Sequence, residues 1–180
     1  KIGVLQMKKF YTSDTHFGHQ RILEFCSSTR PFANTDEMDE KIISNWNNKV
    51  TKNDIVYHLG DWSFTNNFSF LDRLNGRIIA IRGNHDQKIF KERSDRFESI
   101  HDILNVKDDG HHIVLCHYRF YEWYNFRRGF LHFHGHSHNN VPSTKQAIDV
   151  GVDNPSWGLA PVCLDEILME SKNYPDHPSI

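Results

Sequence analysis

The chain is poor in cysteine: Cys26, Cys116 and Cys163 are far apart and form no CxxC pair. Neither a disulfide framework nor a zinc-thiolate site is expected, and a reducing, cytoplasmic setting fits. No run approaches the roughly twenty apolar residues of a membrane span, and no apolar signal region opens the chain, so no membrane partner is expected. A basic excess is missing as well. Lys and Arg number 21 against 23 Asp and Glu, a net charge of −2, which argues against an extended nucleic-acid surface. Internal repeats and low-complexity linkers are absent. The 38% hydrophobic and 24% charged content is that of a globular protein, and 180 residues suit one domain. That domain is expected over residues 7–172, with residues 1–6 an expression remnant before Met7 and residues 173–180 a loose tail.

What the chain has in excess is histidine, thirteen in all. The stretch FLHFHGHSHNN carries His132, His134, His136 and His138 at alternate positions, which one extended strand would point to one side. Gly135 breaks the run. It divides His132 and His134, expected to pack inside a sheet, from His136 and His138 beyond the strand end.

Periodicity places the other elements. KKFYT, DIVYHL, RIIAI and the pair HDILNVK and HHIVLC read as strands, the last two joined through Asp108-Asp109-Gly110, as do FLHFH, QAIDVGV and APVCL. Met38, Ile42, Trp46 and Val50 recur every four residues, predicting an amphipathic helix capped by Thr35 with Asp36 and Glu37 in its first turn. NFSFLDRLN, QRILEFC and DEILMES have helical spacing too. Asp, His and Asn cluster where apolar runs end: Asp14-Thr15-His16, Gly60-Asp61, Gly83-Asn84-His85-Asp86, His117, and Gly135-His136-Ser137-His138. Ligand sites in α/β sheets lie beyond the carboxyl ends of strands, so five such ends converging would make one site. Its donors are carboxylate, amide oxygen and imidazole, a set suited to manganese, iron, zinc, nickel or cobalt. Asp14 and His16 are i, i+2 and leave an extended strand on one side; His136 and His138, about 6.6 Å apart along extended chain, repeat the device.

These five blocks, in this order from Asp14 onward, resemble the calcineurin-like metallophosphoesterase family, in particular its small prokaryotic and phage members. The resemblance implies an α/β fold, a four-layer αββα sandwich of two mixed sheets flanked by helices. It implies two divalent transition-metal ions, manganese first among them. Asp14, His16 and His138 would hold one, Asn84, His117 and His136 the other, and Asp61 would bridge both. A metal-bridging hydroxide would attack the phosphoester, His85 would protonate the leaving oxygen, and Asp86 would orient the His85 ring. The general physics agrees, because paired metals acidify water and clamp phosphate, and an imidazole titrates near neutrality. The chain departs from the family at Tyr118-Arg119 and at Gly18, both where a substrate would be met.

The expected activity is hydrolysis of a small phosphoester, a phosphodiester or nucleotide-like molecule. A catalytically silent interaction scaffold on the same fold and a nuclease are the alternatives. His19 and Arg119 are candidates for substrate contact, whereas His58, His111, His112, His132 and His134 are read as structural. HYRFYEWYNFRRGF is read as a helix that packs Phe120 and Tyr124 on the sheet and leaves its arginines solvated, with an aromatic substrate lid as the other reading.

Overall fold

The structure is a computed structural model in which residues 7–178 are described; the expected remnant at residues 1–6 lies outside them. In chain order the elements are β1 (Lys9–Thr12), α1 (Ile22–Phe25), α2 (Thr35–Lys49), β2 (Ile55–His58), β3 (Arg77–Ile81), α3 (Gln87–Glu92), β4 (Phe97–His101), β5 (Ile103–Asp108), β6 (His111–Cys116), β7 (Leu131–His134), β8 (Ala147–Asp149), β9 (Val162–Cys163) and α4 (Leu164–Ser171). One sheet has the order β4-β3-β2-β1-β9, parallel except for β9. The second has the order β5-β6-β7-β8, parallel except between β5 and β6. This is the α/β sandwich of two mixed sheets flanked by helices.

Strand alternation explains the layering. Phe10, Val56, Ile78 and Ala80 face a cluster completed by Met38, Ile42 and Trp46 of α2, while Tyr11, Tyr57 and Ile81 face Leu115, Phe133 and Ile148 of the second sheet. Tyr11 meets Phe133 edge-on at 5.0 Å, a favourable aromatic geometry that ties β1 to β7 across the sandwich. The four-residue spacing in α2 thus reports its buried stripe correctly. Its cap is Asn34 rather than Thr35. The Asn34 side chain accepts from the Glu37 backbone N–H at 2.9 Å, and its extended backbone leaves Thr35 free to begin the helix.

Two other expectations change. NFSFLDRLN forms a short 3-10 helix, Ser69–Arg73, not an α-helix, because the chain must turn directly into β3. The aromatic segment after His117 is mostly turns around one 3-10 turn, Phe126–Arg128, with Asn125 and Gly129 in left-handed conformations at its ends. Phe120, Trp123, Phe126 and Phe130 still cover the outer face of the second sheet, but Tyr124 is exposed. The tail makes hydrogen bonds to the body of the domain as far as His177. Lys145 N–H donates to the Pro175 carbonyl, and the His177 ring bridges the Thr144 hydroxyl and the Tyr121 carbonyl at 3.2 and 2.8 Å. No helix among the described residues is long and apolar enough to cross a membrane.

Candidate metal centre

All five clusters follow strand ends. Asp14 and His16 follow β1, Asp61 follows β2, Asn84, His85 and Asp86 follow β3, His117 follows β6, and His136 and His138 follow β7. The loops continue the sheet's contact: Asp14 N–H donates to the Gly60 carbonyl and His16 N–H to the Asp61 carbonyl. The i, i+2 picture is wrong in detail. Asp14, His16, Asp61, His136 and His138 all have φ between 47° and 66°, so the backbone is left-handed rather than extended. Such residues cost about 1–3 kcal/mol each for non-glycine side chains and cluster at functional sites. Glycines permit the close approach. A Cβ on Gly60 would lie 2.5 Å from Gly83 N, and one on Gly135 would lie 2.2 Å from Asp14 Oδ2.

Two groups of ligand atoms result, Asp14 with His16 and His138, and Asp61 with His117 and His136; within each, one atom per residue lies within 4.8 Å of the others. Asp14 Oδ1 stands 3.9 Å from His16 Nε2 and 4.0 Å from His138 Nε2. Asp61 Oδ2 lies between the groups, 3.8 Å from His16 Nε2 and 3.5 Å from His117 Nε2. Asn84 Oδ1 is 3.1 Å from His117 Nε2. Separations of 3.5 to 4.0 Å are too long for hydrogen bonds. They approach the spacing of about 3.4 Å between neighbouring ligands on a tetrahedral ion with bonds near 2.1 Å.

Orphaned atoms make the same point. Asp14 Oδ1 and His16 Nε2 are buried with no hydrogen-bond partner, an arrangement that costs free energy unless something binds there. Burial pushes the Asp14 carboxyl up to about 7, against the opposing pull of His138 and His117, and a divalent cation would reverse that shift. Burial also raises Asp61, but the neighbouring His117 and His16 outweigh it and hold the carboxyl at about 2, ionised near neutral pH. The donor set therefore fits a pair of divalent ions.

The orienting layer behind these ligands was missed in the sequence. Asp153 accepts from His138 Nδ1 at 2.6 Å, from Arg30 Nε and Nη2 at 2.8 and 2.7 Å, and from the Thr29 hydroxyl at 2.8 Å. The fully buried Arg30 also donates to the carbonyls of Asp14 and Thr15, binding the first motif to the last. Burial alone would lower the His138 pKa, but its bond to Asp153 raises it to about 10. The bond to Asp153 holds the Nδ1 proton and turns Nε2 toward Asp14, so a divalent ion there would displace only the Nε2 proton and leave the tautomer a metal ligand needs. Cys26 sulfur joins His138 and Asp153 within 4.8 Å. With Asp153 already satisfied by four donors, that trio is a hydrogen-bonded support rather than an ion site. One signal was available: DVGVDN is another apolar run ending in Asp-Asn.

Other expectations sort plainly. The Asp86 carboxylate does not touch the His85 ring; it accepts the backbone N–H groups of Asp61, Trp62 and Gly83 at 2.9, 2.9 and 2.7 Å, and so clamps the two loops together. His85 Nε2 is 4.0 Å from Asp61 Oδ2, with the ring partly exposed. His19 Nδ1 is 3.1 Å from His16 Nδ1 and its ring stacks on Phe64 at 3.8 Å, so it abuts the first group. Arg119 donates to the Pro142 carbonyl at 2.6 Å, turned toward loop backbone rather than the ligand groups. His58, His132 and His134 are fully buried within the sheets, and His111 and His112 are exposed on β6.

Fold and site together define an α/β sandwich that carries a paired Asp/His metal-ligand arrangement at its strand ends. Residues 7–155 match the calcineurin-like phosphoesterase superfamily domain, and the chain belongs to that superfamily. It is 34% identical to the uncharacterized protein MJ1445 of Methanocaldococcus jannaschii, over 91% of this chain and 92% of that one. The gene 66 protein of Mycobacterium phage D29 is 28% identical, over 88% and 92%. A solved structure, a protein of unknown function, AQ665, from Aquifex aeolicus, shares the fold with a TM-score of 0.71 at 24% identity, covering 90% of this chain and 98% of that one.

Proposed function

We propose that the protein is a dinuclear-metal phosphohydrolase acting on a small phosphodiester or nucleotide-like phosphoester in the cytoplasm. The observation that carries this reading is the position of Asp61 Oδ2 between His16 Nε2 and His117 Nε2, 3.8 and 3.5 Å away, in a family whose domain is a phosphoesterase. Two divalent ions held there, manganese by preference, supply an acidified water and screening of the phosphate charge. Asp14, His16 and His138 would hold one, Asn84, His117 and His136 the other, and Asp61 would serve both. Asp153 and Arg30 fix the His138 tautomer, and Asp86 fixes the spacing of the loops that carry Asp61 and Asn84. His85 hands a proton from Nε2 to the departing oxygen, a role worth about 10²–10⁴ in rate.

The test is hydrolysis of bis-p-nitrophenyl phosphate with Mn²⁺. The wild type turns over; His85→Ala loses about 10²–10⁴ of that rate while still binding Mn²⁺; Asp61→Ala loses both. Absence of metal-stimulated turnover across a panel of mono- and diesters, cyclic nucleotides included, would overturn the reading.

A further inference from the structure

Phe64 stands beside the ligand groups, its ring 5.2 Å from His16 and 4.5 Å from His85, and it separates two clefts of opposite character. The larger, about 830 Å³, is lined by Asp36, Asp39 and Glu40, with Arg73 already paired to Glu40. The smaller, about 200 Å³, is lined by His85, Phe64, Phe68, Ile89 and Lys88 among others. No carboxylate lines it among the described residues. Asn66 Oδ1 accepts from Lys88 Nζ at 2.5 Å and holds the ammonium at the cleft wall. The exposed Glu92, 3.8 Å away, forms only a solvated i, i+4 pair, too weak to neutralise it.

We propose that this cleft receives the leaving group of the ester, and that Lys88 selects leaving groups carrying a second negative charge, a carboxylate or phosphate. The proposal rests on the phosphohydrolase reading above, since it follows the leaving oxygen from His85 outward. Water adds to phosphorus as the P–O bond to the leaving group breaks. The bonding pair goes to the departing oxygen, which takes its proton from His85 Nε2, while the proton of the attacking water passes to solvent. The rest of the leaving group then extends from His85 along the Phe64 and Phe68 rings. At roughly 30 Å³ per displaced water, the cleft holds about seven waters' worth of substrate, the size of one substituted ring. The Phe64, Phe68 and Ile89 side chains in its lining suit the ring, and Lys88 lines the same cleft as His85, placed within it to meet a charged substituent. An anion on the far side of Phe64 would instead meet three carboxylates.

The experiment uses the Mn²⁺-loaded enzyme and two matched diesters, methyl 4-carboxyphenyl phosphate and methyl 4-(methoxycarbonyl)phenyl phosphate. Lys88→Met lowers kcat/KM for the carboxylate about tenfold and changes that for its methyl ester less than twofold; Lys88→Arg keeps most of the preference. Because each variant is its own control on the methyl ester, a folding defect cannot mimic the result. Equal effects on both diesters, or none, overturn the proposal and leave the activity standing. Failure of the wild type to hydrolyse either diester while it turns over other esters of the panel above overturns the proposal alone; failure across the whole panel overturns the activity with it.

Discussion

Asp153→Asn is the sharpest perturbation available, because it changes neither shape nor volume. Four donors converge on the Asp153 carboxylate: the Thr29 hydroxyl and Arg30 Nε on one oxygen, Arg30 Nη2 and His138 Nδ1 on the other. An amide supplies one acceptor oxygen and turns the other position into a donor, so two of the four contacts become donor against donor. Hydrogen bonds to charged groups contribute about 1.5–3 kcal/mol each. Losing two, with Arg30 left buried beside a neutral partner, costs about 3–5 kcal/mol, the range found when a buried ion pair is broken. For a chain of this size that lowers Tm by about 10 °C. The second consequence is tautomeric. Facing an N–H instead of an oxygen, His138 Nδ1 becomes the acceptor and its proton moves to Nε2, the atom aimed at Asp14. Affinity for one ion should fall about 10–100-fold, as for other lost orienting partners of metal ligands. Urea unfolding of the chelator-treated protein measures the first effect, and Mn²⁺ titration calorimetry the second. Wild-type stability with wild-type affinity at both sites would refute the reasoning, and a stability loss alone would show that His138 needs no orientation from Asp153.

Two further outcomes follow from the same geometry. Burial, opposed by the Gly18 N–H bond, raises the Asp39 carboxyl to about 6; because the folded state holds that proton more tightly, stability falls as pH rises from about 4 to about 6 and stays lower above. Asp39→Asn, which can still accept from Gly18, should therefore gain about 1 kcal/mol at pH 7.5, after discounting for partial exposure, and nearly nothing at pH 4.5; equal gains in urea melts at both pH values would contradict this. Gly135→Ala places a Cβ 2.1 Å from Ser13 Oγ and 2.2 Å from Asp14 Oδ2, so it should cost about 1–3 kcal/mol by overpacking and halve the Mn²⁺ stoichiometry measured at limiting metal; two tightly bound ions in the variant would count against the placement of Asp14.

How much of this was legible in the sequence depends on what kind of information each feature needs. The strand ends were readable because buried parallel strands are short apolar runs and the polar residues that stop them stand out; Asp61 after DIVYHL and Asn84 after RIIAI are examples. Separating His132 and His134 from His136 and His138 worked for the same reason, with Gly135 as the marker. The left-handed backbone at Asp14, His16 and Asp61 was not readable, since it is imposed by loops packing on one another, and Asp and His, though enriched in that conformation, adopt it at only a small share of their positions. Arg30 and Asp153 are 123 positions apart, and nothing local reveals that they pair. Nor does anything local show that Asp86 bonds to loop backbone rather than to the ring before it. The 118–130 segment misled because its aromatics have helix-like spacing, yet they dock on the sheet from turns. The strand at Phe97–His101 escaped notice because charged and polar residues interrupt it at the sheet's edge.

The central claim is that side chains from five strand ends hold a pair of ions spanned by Asp61. Anomalous diffraction at the manganese edge, from crystals grown with Mn²⁺, tests it most directly. Two peaks are expected, about 3.5–4 Å apart, one against Asp14, His16 and His138, the other against Asn84, His117 and His136, and both touching Asp61. A single peak, or a pair distant from the Asp61 carboxylate, would contradict the account.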